Sequence, residues 1–385
     1  MTQMASNLTP RYLQDKRANF HELFYDLIFV YALQKIAHVL LQLTGNGTLT
    51  LNTFIIYILM SLFLWLLWAH QTVFTNRFGE LLPKDVGFTI VNIFLLIFLS
   101  NSFYPDFNKT FVPFMTYMSL LYLSICLQYL LQIRHTKSKG DRMTCIAYVI
   151  VTSFVAIFSI IGSFTPPPYR FVPGNLGLMI AAIGLVPFRK YLKESPVNMM
   201  HLVERYALLT IIVFGELLVG IASIFSITTF DYLYIFQFMI LIGLFLAYWA
   251  ITEFYINHRH RTIGFKLNYS HLIINIALGG VNAAIIFSNS GKINRLFEVH
   301  FMYASIFLFF FGLWMNMSYF HDYYRKLRLF IISVSLIITG YIISITFVQY
   351  DDVLIISSAM VNSTIALVYY KNKRKLTRAS IAIHQ

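Results

Sequence analysis

Long apolar stretches alternate with short polar breaks along the whole chain. Each stretch has about 20 residues, the length that an α-helix needs to cross a bilayer. The breaks carry the glycines, prolines and charged residues that end such helices. Twelve spans are predicted, at residues 22–44, 50–70, 86–103, 110–132, 143–164, 171–187, 202–226, 232–255, 268–288, 298–319, 328–347 and 353–370. The pattern predicts an all-α integral membrane protein with about twelve transmembrane helices. The least regular span is 171–187, which contains Pro173, Gly174 and Gly177.

Composition supports a lipid environment. Of the 385 residues, 58% are hydrophobic and only 12% are charged, whereas soluble domains have about 25% charged residues. The first 21 residues are polar and basic and lack a small-residue cleavage site, so we expect no cleaved signal peptide. Cys126 and Cys145 both lie in apolar stretches, which excludes a disulfide framework and a cysteine metal cluster.

The net charge of +13 could suggest a nucleic-acid partner. Such a partner needs basic residues gathered on one soluble face, whereas here they are spread over separate short loops. If the N-terminus is cytoplasmic, the outer loops hold only Lys109, Arg170, Lys292 and Arg295 among the 29 Lys and Arg residues. Cytoplasmic loops of membrane proteins collect these residues. The charges therefore predict cytoplasmic termini, a bilayer as the main partner and no nucleic acid.

The chain shows a weak internal repeat with a spacing near 180 residues. Trp68 recurs as Trp249, and Asn76 recurs as Asn257. Two parallel six-helix repeats are therefore predicted, an arrangement found in secondary transporters with sites between the halves. The predicted segments are a cytoplasmic N-terminal segment (1–21), a first half (22–187), a cytoplasmic loop (188–200), a second half (201–370) and a basic cytoplasmic tail (371–385). The alternative is chance similarity among helices rich in Leu, Ile and Phe.

Ionisable side chains are concentrated in the first predicted helix. Each costs about 2.5–3.5 kcal/mol in the middle of a bilayer on insertion scales, and usually marks a site or an internal partner. Glu22 and Asp26 are four residues apart and share one face, and Lys35 and His38 lie deeper. Asp26 and Lys35 point to opposite sides, so each is predicted to pair with another helix. Alternatively, Glu22 and Asp26 only cap the helix, where its dipole favours an anion.

The seventh predicted helix carries a second set, namely His201, Glu204, Arg205 and Glu216. Arg205 and Glu216 share a face but are about 16 Å apart along the axis, too far for a direct ion pair. A polar ligand, or residues from the first and ninth predicted helices, would fill the gap between them. Glu216 lies mid-membrane, where a carboxyl group can be protonated near neutral pH, which is the chemistry that a proton-coupled carrier uses. The alternative is that these charges form a fixed network that locks helices together.

Other polar residues give weaker signals. Glu253, His271 and His70 are secondary site candidates, although single helical histidines are usually structural. His258 and His260 alternate with arginines in a basic loop without nearby carboxylates or thiolates, so no metal and no cofactor is expected. Motifs that specify hydrolases, nucleotide enzymes or dinucleotide enzymes are absent, which disfavours an enzyme.

Two stretches resemble the signatures of a known family. The run Glu22–Val30, with Ala37-His38 further on, is similar to the opening signature of the bacterial low-temperature-requirement A family. His201–Tyr206, followed by Gly215-Glu216, is similar to its second signature. Shorter resemblances occur at Asn76–Phe78 and Tyr269–His271. The resemblance implies a multi-pass protein of a bacterial inner membrane, in a family without an established substrate and named for a growth requirement in the cold.

These observations favour a secondary transporter for a small solute or ion, with a polar site between the first and seventh helices. In this hypothesis Arg205 holds an anionic solute, and Glu216 and Asp26 handle a proton or cation. One competing hypothesis is a non-transporting scaffold or lipid-interacting factor that supports growth in the cold. Another is an intramembrane enzyme that uses Glu216 and His271 as acid and base.

Overall fold

The computed structural model describes residues 10–80, 82–104, 106–291, 293–321 and 326–383, with the side chains of all of these except 351 and 374–383. About 80% of the described residues are helical. The described part has no strand, and Ile256 and Phe320 form an isolated β-bridge. Twelve of its helices are long and apolar enough to cross a membrane. The predicted fold class is therefore confirmed.

The helices are numbered α1 to α12 in chain order. They are α1 (Phe20–Leu40), α2 (Leu51–Phe78), α3 (Pro83–Asn101), α4 (Phe107–Ile133), α5 (Lys139–Phe164), α6 (Phe171–Glu194), α7 (Met199–Ala222), α8 (Leu233–Tyr255), α9 (Phe265–Ser288), α10 (Arg295–Tyr319), α11 (Lys326–Thr346) and α12 (Asp352–Lys373). Three of them contain an irregular turn. These turns are a 3₁₀ segment in α6 (Val186–Phe188), a π turn that ends α8 (Ile251–Tyr255) and a 3₁₀ turn that ends α10 (Asn316–Tyr319).

Two predicted boundaries were wrong in an informative way. The second span was predicted to end at residue 70, yet α2 continues to Phe78. Its last two turns are polar in sequence, but their side chains are buried and bonded to neighbouring segments. The segment 188–200 was predicted to be a loop, whereas Arg189–Glu194 is helical. Pro173 does not interrupt α6, because a proline is tolerated in the first turn of a helix.

The chain divides into two compact units. The first comprises the chain up to Val39, Asn52–Leu209 and His258–Phe265. The second comprises Leu40–Leu51, Thr210–Asn257 and the chain from Lys266 onward. The division falls inside α7, rather than in the segment 188–200 that was predicted to separate the halves.

Neighbouring helices pack in a similar order in both units. In the first unit α4 packs on α5 and α5 on α6, and in the second α10 packs on α11 and α11 on α12. Small residues allow close approach, as at Gly243 of α8, where a Cβ atom would lie 2.8 Å from the backbone of Asn362. The shared order is what a six-helix repeat predicts, and the repeat itself stays a prediction.

Candidate functional site

Four ionisable side chains from α1 and α7 meet inside the first unit. They are Glu22, Asp26, His201 and Arg205, each at most 2% exposed, and they are called the ion cluster below. Within each helix the two members are four residues apart and so share one face. Counted at 1.5 Å per residue, Asp26 and Arg205 lie about 9 Å along their helices from the first residue.

Arg205 joins both carboxylates. Its Nε and Nη2 donate to the two oxygens of Asp26 at 3.0 and 2.6 Å. Its Nη1 donates to Glu22 at 2.9 Å and to the Thr75 hydroxyl at 3.3 Å. A bidentate guanidinium–carboxylate pair is among the strongest polar contacts in proteins. The prediction that Asp26 finds its partner on another helix is confirmed, and that partner is Arg205.

The hydrogen bonds around His201 assign its tautomer. The Asn76 side chain is oriented by the backbone of Asn198, which donates to its oxygen and accepts from its nitrogen, both at 2.9 Å. The second hydrogen of that nitrogen therefore donates to His201 Nδ1 at 3.0 Å. This leaves the proton of the neutral ring on Nε2, which donates to Glu22 at 3.2 Å. His201 is thus a neutral donor that orients the Glu22 carboxylate.

Aromatic rings enclose the cluster. Trp68 donates its indole N–H to Asp26 at 2.7 Å, and the guanidinium of Arg205 lies over the same ring at 5.7 Å. Trp65 and Tyr206 pack against Trp68 with ring centroids 5.3 and 5.0 Å away. Such a wall lowers the local dielectric, and so strengthens each charge interaction inside it.

The segment before α1 covers the cluster, and the residues Lys16–Asn19 are called the strap below. The Lys16 ammonium donates to three backbone oxygens at the end of α2, those of Thr75, Asn76 and Gly79, at 2.5, 3.2 and 3.0 Å. Cations are favoured there by the helix dipole. Burial lowers the pKa of Lys16 to about 8.

The strap also completes the charge balance of the site. The backbone N–H of Asn19 donates to Glu22 at 2.9 Å, the pattern of a carboxylate in the first turn of a helix that caps it. Glu22 therefore both caps α1 and belongs to the cluster. With His201 neutral, Lys16 and Arg205 balance Glu22 and Asp26, so the site carries no net charge.

Four further candidates of the first unit lie outside the cluster. Glu204 is half-buried at the rim, where it accepts from the backbone N–H of Ala18 at 3.3 Å and lies 3.9 Å from Arg17. Lys35 is half-buried with its ammonium 5.3 Å from the Tyr31 ring. His38 is exposed. His70 is buried against the rings of Tyr122 and Tyr148.

The remaining candidates belong to the second unit. Glu216 is half-buried and Glu253 is exposed in the π turn of α8. His271 is buried between internal partners, since its Nδ1–H donates to the Leu267 carbonyl at 2.9 Å and the Tyr248 hydroxyl donates to its Nε2 at 3.1 Å. Among the described residues, no group of three or more His, Cys, Asp and Glu is placed to hold a metal ion.

Sequence reasoning missed three contributors to the site on α2, and also Lys16 of the strap. Trp68 and Asn76 stood out only as repeat or signature positions, and Thr75 was not singled out. A usable signal was the run of polar residues that continues directly from the apolar part of α2. The structure also changes the expected role of Arg205, because the carboxylates of Glu22 and Asp26 occupy the guanidinium that was expected to hold an anionic solute.

Comparison with known proteins adds two findings. A family model described as "Bacterial low temperature requirement A protein (LtrA)" matches residues 17–367 of the chain. An uncharacterised protein of Rhizobium meliloti (strain 1021) is 25% identical over 219 residues, which cover 54% of this chain and 51% of that protein. The chain thus spans about half the length of this curated relative. The matched region of the family model includes the whole ion cluster.

Proposed function

Because the chain belongs to the bacterial low temperature requirement A (LtrA) family, and because its helices hold a buried cluster of opposite charges, we propose that it is a proton-coupled secondary transporter of the inner membrane. The ion cluster is the proton-handling site. The observation that carries the proposal is the pairing of one guanidinium with two carboxylates inside a membrane-spanning bundle. Ionisable groups at such positions commonly mark ion or proton pathways.

The geometry favours a proton over an anionic solute as the species that acts on this cluster. Arg205 donates through Nε, Nη1 and Nη2 to Asp26 and Glu22. An anion would have to replace a bidentate carboxylate in order to reach the guanidinium. A proton needs only to neutralise one of the two carboxylates that Arg205 joins.

Protonation of a carboxylate would loosen three helices at once. The cluster ties α1 through Glu22 and Asp26, α2 through Trp68 and Thr75, and α7 through Arg205. Breaking a buried ion pair costs about 3–5 kcal/mol. Reversing a two-state equilibrium from 1:99 to 99:1 takes about 5.5 kcal/mol. One proton therefore supplies free energy of the size needed to shift α1 and α2 between two arrangements.

The same hydrogen-bond network around Arg205 also supports a second function, because the network is complete without a ligand. Each nitrogen of Arg205 already has an acceptor, and the aromatic wall encloses the pair. A cluster of this kind also suits a non-transporting protein whose charges hold helices in one arrangement when the bilayer is cold. In that case the charges contribute only by stabilising the folded protein.

Cold growth of a deletion strain separates the two functions. The strain is complemented with wild type, Asp26→Asn or Glu204→Gln, and membrane abundance and melting temperature are scored for each protein. Proton handling predicts that Asp26→Asn fails to restore growth even when its expression is raised until its membrane abundance equals that of wild type, while Glu204→Gln restores growth. If growth follows abundance and melting temperature across all variants, the cluster is structural and the transporter proposal fails.

A further inference from the structure

A second site lies in the first unit, at the end opposite the ion cluster. A cavity of about 430 Å³ lies among the N-terminal halves of α2, α4 and α6. Its volume falls in the range of about 300–1,000 Å³ that is usual for small-molecule sites. The interior is apolar and aromatic, with Leu59, Phe63, Phe111, Met115 and Phe171 on its walls. Such a lining suits a hydrocarbon chain.

Exposed apolar side chains border the cavity on α2. Ile55 lines it and is 45% exposed on the outer face of α2, where Phe54 and Leu51 are exposed as well. Exposed apolar side chains on a spanning helix face lipid. A chain of a membrane lipid can therefore reach the cavity from the side without crossing water.

Polar groups gather at the mouth, where Asn52, Asp106, Asn108 and Asn175 line the cavity. The Asp106 carboxylate lies 3.1 Å from the exposed ammonium of Lys109. The mouth thus combines an apolar interior with a polar rim, which is the pattern that an amphiphile fits with its head group at the surface.

Arg170 supplies a buried positive charge beside this mouth. Its guanidinium lies over the rings of Phe111 and Phe171 at 5.1 and 5.6 Å, and its Nη2 donates to the backbone and side-chain oxygens of Asn108 at 2.8 and 2.9 Å. All three of these partners line the cavity. Arg170 is 9% exposed, and its Nε has no hydrogen-bond partner among the described residues.

The charge of Arg170 is also uncompensated. Within the described part of the chain, no carboxylate lies within ion-pair distance of it, whereas Arg205 has two. A buried cation without an anion is costly, and a guanidinium is well suited to bind a phosphate. An anionic head group at the mouth would remove this cost and use the free Nε–H.

We propose that this cavity is a phospholipid site, in which an acyl chain fills the apolar interior and the lipid phosphate binds Arg170. The site is independent of the proton-coupled function, since it uses none of the residues of the ion cluster. Through this site, the fraction of protein with bound lipid depends on how much anionic phospholipid the membrane contains.

Native mass spectrometry of the purified full chain tests the site. Delipidated protein is incubated with dioleoylphosphatidylglycerol or with oleate, and bound lipid is counted for wild type and three variants. Arg170→Gln removes the phosphate partner and Leu59→Trp fills the cavity. Arg295→Gln removes an exposed cation of the second unit, outside the cavity lining, and serves as the matched control. The melting temperature of each variant shows whether it is folded.

The proposal expects one retained phosphatidylglycerol per chain. Arg170→Gln should lower its affinity about tenfold, a difference of about 1.4 kcal/mol, and Leu59→Trp should abolish binding, while Arg295→Gln leaves it unchanged. Equal retention by Arg170→Gln and Arg295→Gln would overturn the proposal, even if Leu59→Trp does not fold. Retention of oleate but not of phosphatidylglycerol, with the same dependence on Arg170, would overturn the phospholipid assignment.

Discussion

At the scale of single residues, the site is governed by where each charge finds its partner. Arg205 and Asp26 form a bidentate pair away from solvent, while Glu204, one residue from Arg205 in the chain, lies at the rim near the exposed Arg17. Adjacent residues of one helix therefore have different energetic roles. The burial of a charge, rather than the presence of an ion pair, decides how much the free energy of unfolding changes when that charge is removed.

Removing the charge of Arg205 should be severe. Arg205→Gln leaves Glu22 and Asp26 as buried carboxylates without the guanidinium that pairs with both, and we expect a loss of about 3–5 kcal/mol in unfolding free energy. Glu204→Gln should change it by at most about 1 kcal/mol, because its ion pair is exposed. Melting of both variants in the same detergent measures the difference. Equal melting temperatures of Arg205→Gln and Glu204→Gln would show that the buried cluster stabilises the protein no more than the exposed ion pair of Glu204 does.

The indole of Trp68 should contribute through its hydrogen bond. Trp68→Phe keeps an aromatic ring beside Arg205 but leaves one lone pair of Asp26 without its donor at 2.7 Å. We expect a loss of about 1–3 kcal/mol. Trp249→Phe is the control, because that indole is 39% exposed and its ring packs against Phe254. Chemical denaturation in mixed micelles compares the two, and a loss as large in the control would refute the role of the indole N–H.

Lys16 makes the strap sensitive to pH. Its pKa in the folded protein is about 8, below the ordinary value of 10.5. Between these values the unfolded chain binds more protons than the folded one, so this residue adds stability as the pH rises from 8 to 10.5. The melting temperature of wild type relative to Lys16→Met should therefore rise over that window. A constant difference between the two proteins would show that Lys16 does not titrate with a lowered pKa.

At the scale of helices, close packing depends on individual glycines. Gly243 of α8 faces the backbone of α12, and an added Cβ atom would lie 2.8 Å from Asn362 and from Ser363. Gly215 of α7 has no atom within 4 Å of the corresponding position. Backbone cannot move aside as a flexible side chain can, so only the first glycine is required by packing.

This difference gives a direct test of the α8–α12 contact. Gly243→Ala should destabilise the protein by about 1–3 kcal/mol, because the extra methyl group overpacks the interface. Gly215→Ala should be neutral or stabilising by up to about 1 kcal/mol, since alanine is the better helix former. Differential scanning calorimetry of the two variants provides the comparison. A neutral Gly243→Ala would mean that α8 and α12 do not approach as closely as described.

The helices were largely predictable, and their ends were not. Apolar length alone locates all twelve spans, because lipid requires continuous helices. The extension of α2 to Phe78 could not be read in this way, since it depends on tertiary partners such as the Ser195 carbonyl, which accepts from Arg77 at 2.9 Å. In sequence, polar residues at the end of a membrane helix have the pattern of a loop, and only their tertiary partners show that they are helical.

At the scale of the whole molecule, sequence reasoning found the class and part of the site. Spacing placed Glu22 with Asp26 and His201 with Arg205, and the cost of burying charge predicted that they would find partners. It did not predict that Arg205 is occupied by both carboxylates, because helical periodicity gives the face of a residue and not which helix it meets. The partners on α2 and the strap, which are distant in sequence, were unpredictable for the same reason.

The central claim is that the ion cluster handles protons, and proton flux measures it most directly. Purified wild type, Asp26→Asn and Glu204→Gln are reconstituted in liposomes containing a pH-sensitive dye, and an inward proton gradient is applied with a panel of organic acids, amines, sugars and Na⁺. The account predicts solute-dependent proton entry in wild type and Glu204→Gln, reduced at least tenfold in Asp26→Asn when equal amounts of folded protein are compared. Equal proton entry with Asp26→Asn and wild type, or none above empty liposomes across the panel, would contradict it.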